Sequence, residues 1–463
     1  MSTILPQEYV SQKLLFTSVK SFFTKYLSSD QLKACGFYKN RGYHAGVILS
    51  QLFELIFEHQ NLYQKTVISN HAEIKKNTYY RFLSKGTQNW EKLLISVSER
   101  AANYFKSLST KNKSRGVFVI DDTLFKRNRS KCVELICKVF DHDTMEYFTG
   151  FRLATLGWTD GSSFVPVSFR LLSSVKTLIH EAKRFDKRTL SSRRRKEALL
   201  PMPEAVLTML RKVQHFGVQY VLFDSWFGTP KMITDVQKIG YDVVCRMKVT
   251  SKVFFIYKGQ SYKSQRLISQ ITKEHFTENH SILGSITVQL RGGTQRVKLV
   301  FIRDERGRKR DFIIVASTDI SLNSMEIVRL YGKRWAIETF FKMTKSYLRL
   351  DKEYEGLNYD AMVGFITIVF LRYTMISIEL RNSEDQRTFG VLFVNLCEEI
   401  KDVSFLEALS FLFAEVMSEV RAVTTISDEV STLIESILLR SLEHLPYYLS
   451  QIYSYGSLSK LVC

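Results

Sequence analysis

Two apolar, β-branched runs that each end in an acid constrain the fold of this chain more than any other feature. Gly116-Val117-Phe118-Val119-Ile120 leads into Asp121-Asp122-Thr123, and Val218 to Phe223 leads into Asp224. Runs without polar alternation are what strands require when both of their faces are buried. Between them lies a helical pattern ending near Phe216, preceded by a strongly basic stretch from Lys183 through Arg193-Arg194-Arg195-Lys196. Strand, helix and strand in that order predict an α/β sheet. Further strands are expected at Cys132 to Phe140, Phe148 to Leu156 and Phe164 to Leu171, between polar or glycine-containing turns.

The periodicity changes on either side of this core, which spans 106–248. Residues 1–105 read as helical, with Val47, Leu49, Leu52, Phe53, Leu55 and Ile56 at helical spacing. A short basic turn then leads to a helix from Thr78 to Leu83, capped by Asn77 or Thr78. With Lys75, Lys76, Arg81 and Lys85 nearby, this is either a helix-turn-helix-like DNA reader or a bundle with a solvated basic face. A β-rich insertion is expected over 249–320, with strands at Ser285 to Leu290, Gln295 to Arg303 and Phe312 to Ala316. Its turns are Gly292-Gly293 and the basic segment Asp304 to Arg310. The α/β core resumes over 321–380, and 381–463 is helical. There Phe389, Leu392, Phe393, Leu406, Leu409, Phe411 and Leu412 read first as core packing and second as a dimer surface. The apolar stretch from Ala361 to Ile378 carries Arg372 and reads as a buried helix, so no membrane is expected as a partner.

Charge narrows the choice of partner. The chain has 66 Lys+Arg against 46 Asp+Glu, a net charge of +20, which attracts nucleic acid or an anionic membrane surface. Six cysteines in 463 residues make no disulfide framework, and Cys132 and Cys137 lack the second pair that a zinc spacing needs. A reducing cytosol is the expected compartment, and the N-terminus has no basic segment followed by an apolar core. His275 and His280, beside Glu274 and Glu278, match no metal motif and read as a solvated segment.

Strand-terminal acids often only cap the next helix, so Asp121 and Asp224 gain weight from a third segment. Tyr331, Arg334, Glu338 and Lys345 are spaced three, four and seven apart on a predicted helix. At about 100° per residue they fall within an arc of about 60°. Ile337, Phe340 and Met343 point the other way and anchor the helix. One stripe thus carries a carboxylate between two cations and a phenol, either as a surface ion pair or as a site for phosphodiester chemistry. In the second reading Glu338 joins Asp121 and Asp224 to hold two magnesium ions, hard cations that prefer oxygen ligands. Arg334 grips phosphate by a fork and Lys345 as a point charge.

The run Tyr331-Gly332-Lys333-Arg334-Trp335-Ala336-Ile337-Glu338, with Lys345 beyond it, resembles the Y-R-E-K signature of DDE insertion-sequence transposases of the IS-four group. Val119-Ile120-Asp121-Asp122-Thr123 and Leu222-Phe223-Asp224-Ser225-Trp226-Phe227 resemble that group's first and second aspartate motifs. Thr155 to Phe164 resembles the stretch between them, and the motifs appear in the family's order. The resemblance implies an RNase H-like core interrupted by a β insertion, an N-terminal DNA-binding region and a homodimer joining two element ends on double-stranded DNA. Asp121, Asp224 and Glu338 then become catalytic metal ligands for magnesium, with manganese as a substitute. Tyr331, Arg334 and Lys345 become DNA-end contacts, with Arg81 and Lys85 as further DNA contacts. Asp122 competes with Asp121, which is favoured because it directly follows the apolar strand. Members that cut through a DNA hairpin hold a flipped base on a tryptophan in the insertion. Here Phe254, Phe255, Tyr257 and Tyr262 are the aromatic residues in that region, and Trp226 is expected to pack in the core. A prokaryotic, nucleoid-associated cytoplasmic protein is implied. The rival readings are a catalytically silent DNA-binding descendant and an RNase H-like nuclease without joining activity.

Overall fold

One mixed sheet organises the chain, and the two acid-terminated runs lie side by side near its middle. The structure, a computed structural model, describes residues 18–382 except 39–40, 69–73, 109–115, 142–143, 184, 249–252, 264–265, 268–281, 292–294, 304–311 and 353–355, plus a few single positions between 416 and 437. The expectations for His275 and His280, the turns at 292–293 and 304–310, and most of the C-terminal helical region lie outside the described residues.

The core begins with β1 (Val117–Lys126), β2 (Cys137–Asp141), β3 (Glu146–Thr159) and β4 (Phe164–Leu172). It continues through α6 (Leu190–Ala198), α7 (Met202–Lys212), β5 (Tyr220–Phe223), α8 (Pro230–Ile239) and β6 (Asp242–Arg246). β3 is long enough to pair β1 along one edge and both β2 and β4 along the other, all antiparallel. β1, β5 and β6 run parallel, and α8 makes the crossover from β5 to β6. Val117 to Ile120 and Tyr220 to Phe223 are fully buried, as their unbroken apolar runs require. β7 (Phe254–Tyr257), β8 (Gln260–Lys263), β9 (Ile282–Leu290), β10 (Arg296–Arg303) and β11 (Phe312–Ser317) extend the same sheet, because β11 pairs antiparallel with β6. This is the mixed α/β architecture expected, consistent with an RNase H-like core carrying a β-rich insertion.

Helices flank the sheet. The N-terminal set is α1 (Ser18–Tyr26), α2 (Ser29–Ala34), α3 (Ala45–Glu54), α4 (Lys76–Leu83) and α5 (Trp90–Leu108). After β11 come α9 (Ser324–Gly332), α10 (Trp335–Ser346) and α11 (Tyr359–Asn382). α11 is long and apolar enough to cross a membrane, but nearly all of it is buried inside the protein. Its Arg372 is fully buried and donates to the carbonyls of Phe53 (2.8 Å) and Leu52 (2.6 Å) near the end of α3. Last-turn carbonyls have no partner within their own helix, so a buried arginine there satisfies donor and acceptors together. The close approach of α11 to α5 depends on Gly364, since a Cβ there would lie 2.7 Å from the Trp90 ring.

Several local expectations are corrected. The single helix expected to carry Tyr331 through Lys345 is two, α9 and α10, with Lys333 and Arg334 as the joint. α4 starts two residues earlier than expected, with Lys75 at its N-cap and no side-chain cap, so Asn77 and Thr78 lie inside its first turn. The strand expected from Cys132 begins only at Cys137. β1 does not end at its acids but continues through them to Lys126, paired throughout with β3. Trp226 is 39% exposed, and the buried aromatic beside Asp224 is Phe227.

Candidate active site

Parallel pairing sets the first two acids together. Ile120 on β1 is opposite Phe223 on β5, so Asp121 and Asp224 follow at the next position of adjacent strands. Adjacent strands are only about 4.8 Å apart. Asp224 lies just past β5, and its Oδ1 accepts from the backbone N–H groups of Trp226 (2.9 Å) and Phe227 (3.4 Å). Such a turn is typical of Asp, which hydrogen-bonds the backbone two residues on. The turn returns tightly under the sheet: a Cβ at Gly228 would lie 2.2 Å from the Arg246 carbonyl oxygen. Gly228→Ala is therefore expected to lower stability by about 1–3 kcal/mol and to displace the Asp224 turn. Thermal melts together with a cleavage assay check this; unchanged melting would mean that the loop accommodates the methyl.

Strand alternation separates the two neighbouring acids. Side chains at i and i+2 share a face, so Asp121 and Thr123 point one way and Asp122 the other. Asp122 Oδ2 accepts from Arg152 Nη1 at 2.5 Å, and Arg152 Nη2 donates to the Phe140 carbonyl. On the Asp121 face, α10 supplies the remaining charged groups. Arg334 Nη1 lies 3.4 Å from Asp121 Oδ2, and its Nη2 donates to Glu338 Oε1. Lys345 Nζ donates to Thr123 Oγ1 at 2.6 Å. Tyr331, on α9, remains close despite the break, with the Arg334 guanidinium 5.7 Å from its ring centre. α10 is held by its buried side: Ile337 and Phe340 are fully buried, and Phe340 packs against Phe164, Phe370 and Tyr373.

Arg334 thus links Asp121, Glu338 and Tyr331, Asp224 follows on the strand beside Asp121, and Lys345 reaches Thr123. Arg81 and Lys85 belong to the N-terminal helices instead. Arg81 is exposed and donates to the Asn77 carbonyl, while Lys85 donates to the Tyr38 carbonyl and lies 4.5 Å from that ring. Sequence reasoning missed Thr123, although its place two residues after Asp121 on a strand was a usable signal. It also missed Arg152, which nothing local identifies. A cavity of about 440 Å³ opens elsewhere, among Lys92, Arg170, Arg193, Arg194 and Lys212. None of the three acids lines it, and Glu91 and Glu197 there pair with Arg170 and Lys212.

Electrostatics single out Asp121. Its carboxyl is pushed up to about 7, first by burial and then by the charges of Asp224 and Asp122, against the Asp122 N–H and Arg334. Burial also raises the Tyr331 phenol despite Arg334, and lowers the Lys345 ammonium. Asp121 is more easily protonated in the folded chain than in the unfolded one, where its pKa is near 4. Its stabilising contribution is therefore full below pH of about 4 and is lost as pH rises to about 7. Asp121→Asn should accordingly gain melting temperature relative to wild type across that window without metal, and magnesium should narrow the gap. A difference that does not vary with pH would refute the shift.

Residues 60–270 match the family model for DDE superfamily endonuclease, and residues 179–374 match that for transposase DDE domain. Together they run from 60 to 374; the first contains Asp121, the second Glu338, and Asp224 falls in both. The two matches support a DDE transposase. A comparison with curated proteins finds no match.

DDE transposases typically use divalent metal ions, and the donor chemistry of this site suits them. Two carboxylates that repel each other and a third on the facing helix are hard oxygen donors. Directly across from Asp121 on β3, the Thr155 hydroxyl is buried with no hydrogen-bond partner among the described residues. The third carboxylate, however, is taken up by Arg334, and among the described residues no three ligating side chains are close enough together to hold an ion.

Proposed function

We propose that this transposase is a cut-and-paste enzyme of the IS-four kind, which cleaves DNA at the ends of an insertion sequence and joins the freed 3′-hydroxyl to target DNA. The observation that carries this reading is the placement of Asp121 and Asp224 at adjacent strand positions, with the Arg334, Glu338 and Lys345 stripe of α10 facing them. Asp121, Asp224 and Glu338 would hold the magnesium ions, for which manganese could substitute. The chemistry such ions supply is stabilisation of the attacking and leaving oxygens at phosphorus. Arg334 receives a phosphate in its fork, Lys345 offers a point charge held at Thr123, and Tyr331 donates to a phosphate oxygen. No side-chain nucleophile is needed, because water and then the DNA 3′-hydroxyl attack in turn.

The exposed Arg81 and the exposed Lys75 at the N-cap of α4 supply sequence-independent phosphate contacts, in keeping with the net charge of +20. The working form is a homodimer holding two element ends in a prokaryotic cytoplasm. The test is magnesium-dependent cleavage of a labelled duplex carrying the native element end, with wild-type and Glu338→Ala proteins side by side. Cutting by wild type alone supports the reading. Full cutting by Glu338→Ala removes Glu338 from the site, and binding by both with cutting by neither points to a silent DNA-binding descendant. Pre-cut ends that fail to join would leave a nuclease.

A further inference from the structure

We infer that Arg334 is a latch: in the DNA-free chain it holds Asp121 and Glu338 apart from any cation, and a DNA phosphate opens the site by taking the guanidinium away. This deepens the proposed function and rests on it. One guanidinium touches both ends of the expected ligand set, with Nη1 at 3.4 Å from Asp121 and Nη2 on Glu338. The Arg334 and Asp121 side chains are 15% and 19% exposed, so that end of the contact is largely shielded from solvent, while Glu338 at the other end is 34% exposed. Its position follows from the backbone, because it is the joint between α9 and α10 and its side chain makes no capping bond.

A guanidinium and a divalent cation at the same carboxylate edges repel each other, so one must leave for the other to bind. A phosphate offers the arginine fork a partner as good as a carboxylate, in the same bidentate geometry. DNA engagement and cation binding are therefore coupled, and each raises the affinity of the other by the same factor. The transposase would take up its ions where a DNA end is present and remain poorly loaded otherwise. An ordinary ion pair stabilising the first turn of α10 predicts no such coupling.

Manganese(II) binding to the full chain, read from the electron paramagnetic resonance of the free ion, tests this without any cleavage assay. Without DNA, Arg334→Gln is expected to bind manganese about tenfold or more tighter than wild type, within the usual range of coupling between sites. Arg334→Ala repeats the measurement with a side chain that cannot bond Glu338. Adding a short duplex should tighten manganese binding to wild type by a similar factor and to the Arg334 variants by little. If neither variant binds tighter than wild type while Asp121→Asn weakens binding, the latch is overturned and the metal site stands. If Asp121→Asn and Glu338→Gln leave manganese binding unchanged in every background, the proposed site itself falls, and the latch with it.

Discussion

Asp121→Asn protein should lose magnesium-dependent cleavage by about 10³-fold or more, whereas Asp122→Asn protein should keep cutting but melt earlier. The two acids are adjacent in sequence, and only the pleat of β1 separates their roles. Asp121 shares a face with Thr123 and with the Arg334–Glu338 stripe, while Asp122 is spent on Arg152 on the other face. Losing a metal-binding carboxylate removes several kcal/mol of transition-state stabilisation, and each 1.4 kcal/mol is about tenfold in rate. Losing the Asp122 charge instead leaves Arg152 without its anion in a half-buried place, at a cost of about 1–3 kcal/mol. Single-turnover cleavage and thermal melts on both proteins decide the matter. Loss of cutting by Asp122→Asn at unchanged stability would assign Asp122 to the site instead.

The features readable from sequence were those that depend on local pattern. The apolar runs before Asp121 and Asp224 became neighbouring buried strands because an unbroken run has no solvent-facing alternative. The α10 stripe was readable from angles alone, since Arg334, Glu338 and Lys345 keep helical spacing from the N-cap of α10 onward, and Tyr331 stays beside Arg334 across the joint. The joint itself was not visible: Lys333 and Arg334 retain helical dihedrals (φ −62° and −57°), and only the hydrogen bonds change, Lys333 N–H reaching back three residues to Leu330 and Arg334 N–H to Tyr331. Nor was the continuation of β1 beyond its acids visible. Asp121 and Asp122 are tolerated inside a strand because long-range partners receive them, Arg334 on one face and Arg152 on the other. Trp226 was misplaced for a related reason. The Asp224 turn uses its backbone N–H and leaves the indole outside, with Phe227 turned inward.

The basic stretch before α7 gives the clearest case of what sequence hides, and the largest stability effect expected. Arg195→Ala should destabilise the protein by about 3–5 kcal/mol, the cost of leaving buried charge unpaired. Arg195 is 4% exposed, and its Nε and Nη2 each bond a different oxygen of Glu134 at 2.7 Å. Its Nη1 bonds Asp360 at 2.7 Å, and the guanidinium lies 4.1 Å from the Phe185 ring centre. Asp360 would keep Arg194, but Glu134 would keep only the backbone N–H groups of Lys183 and Tyr359. Burial alone would raise the Glu134 carboxyl; Arg195 and those N–H groups outweigh it and hold it below its ordinary value. In wild type this adds stability that is present above pH of about 4.5 and lost on acidification. Without Arg195 burial meets less opposition, so the carboxyl moves upward and that stabilisation shrinks. The melting gap between the two proteins should therefore shrink as pH falls from about 7 to about 4, and a constant gap would mean that packing rather than charge carries the loss. Because Asp360 lies at the start of α11, and α10 rests on α11 through Phe340, the network also braces the helix that presents Glu338. Cleavage per folded molecule should fall far less than stability does, which separates this arginine from Arg334.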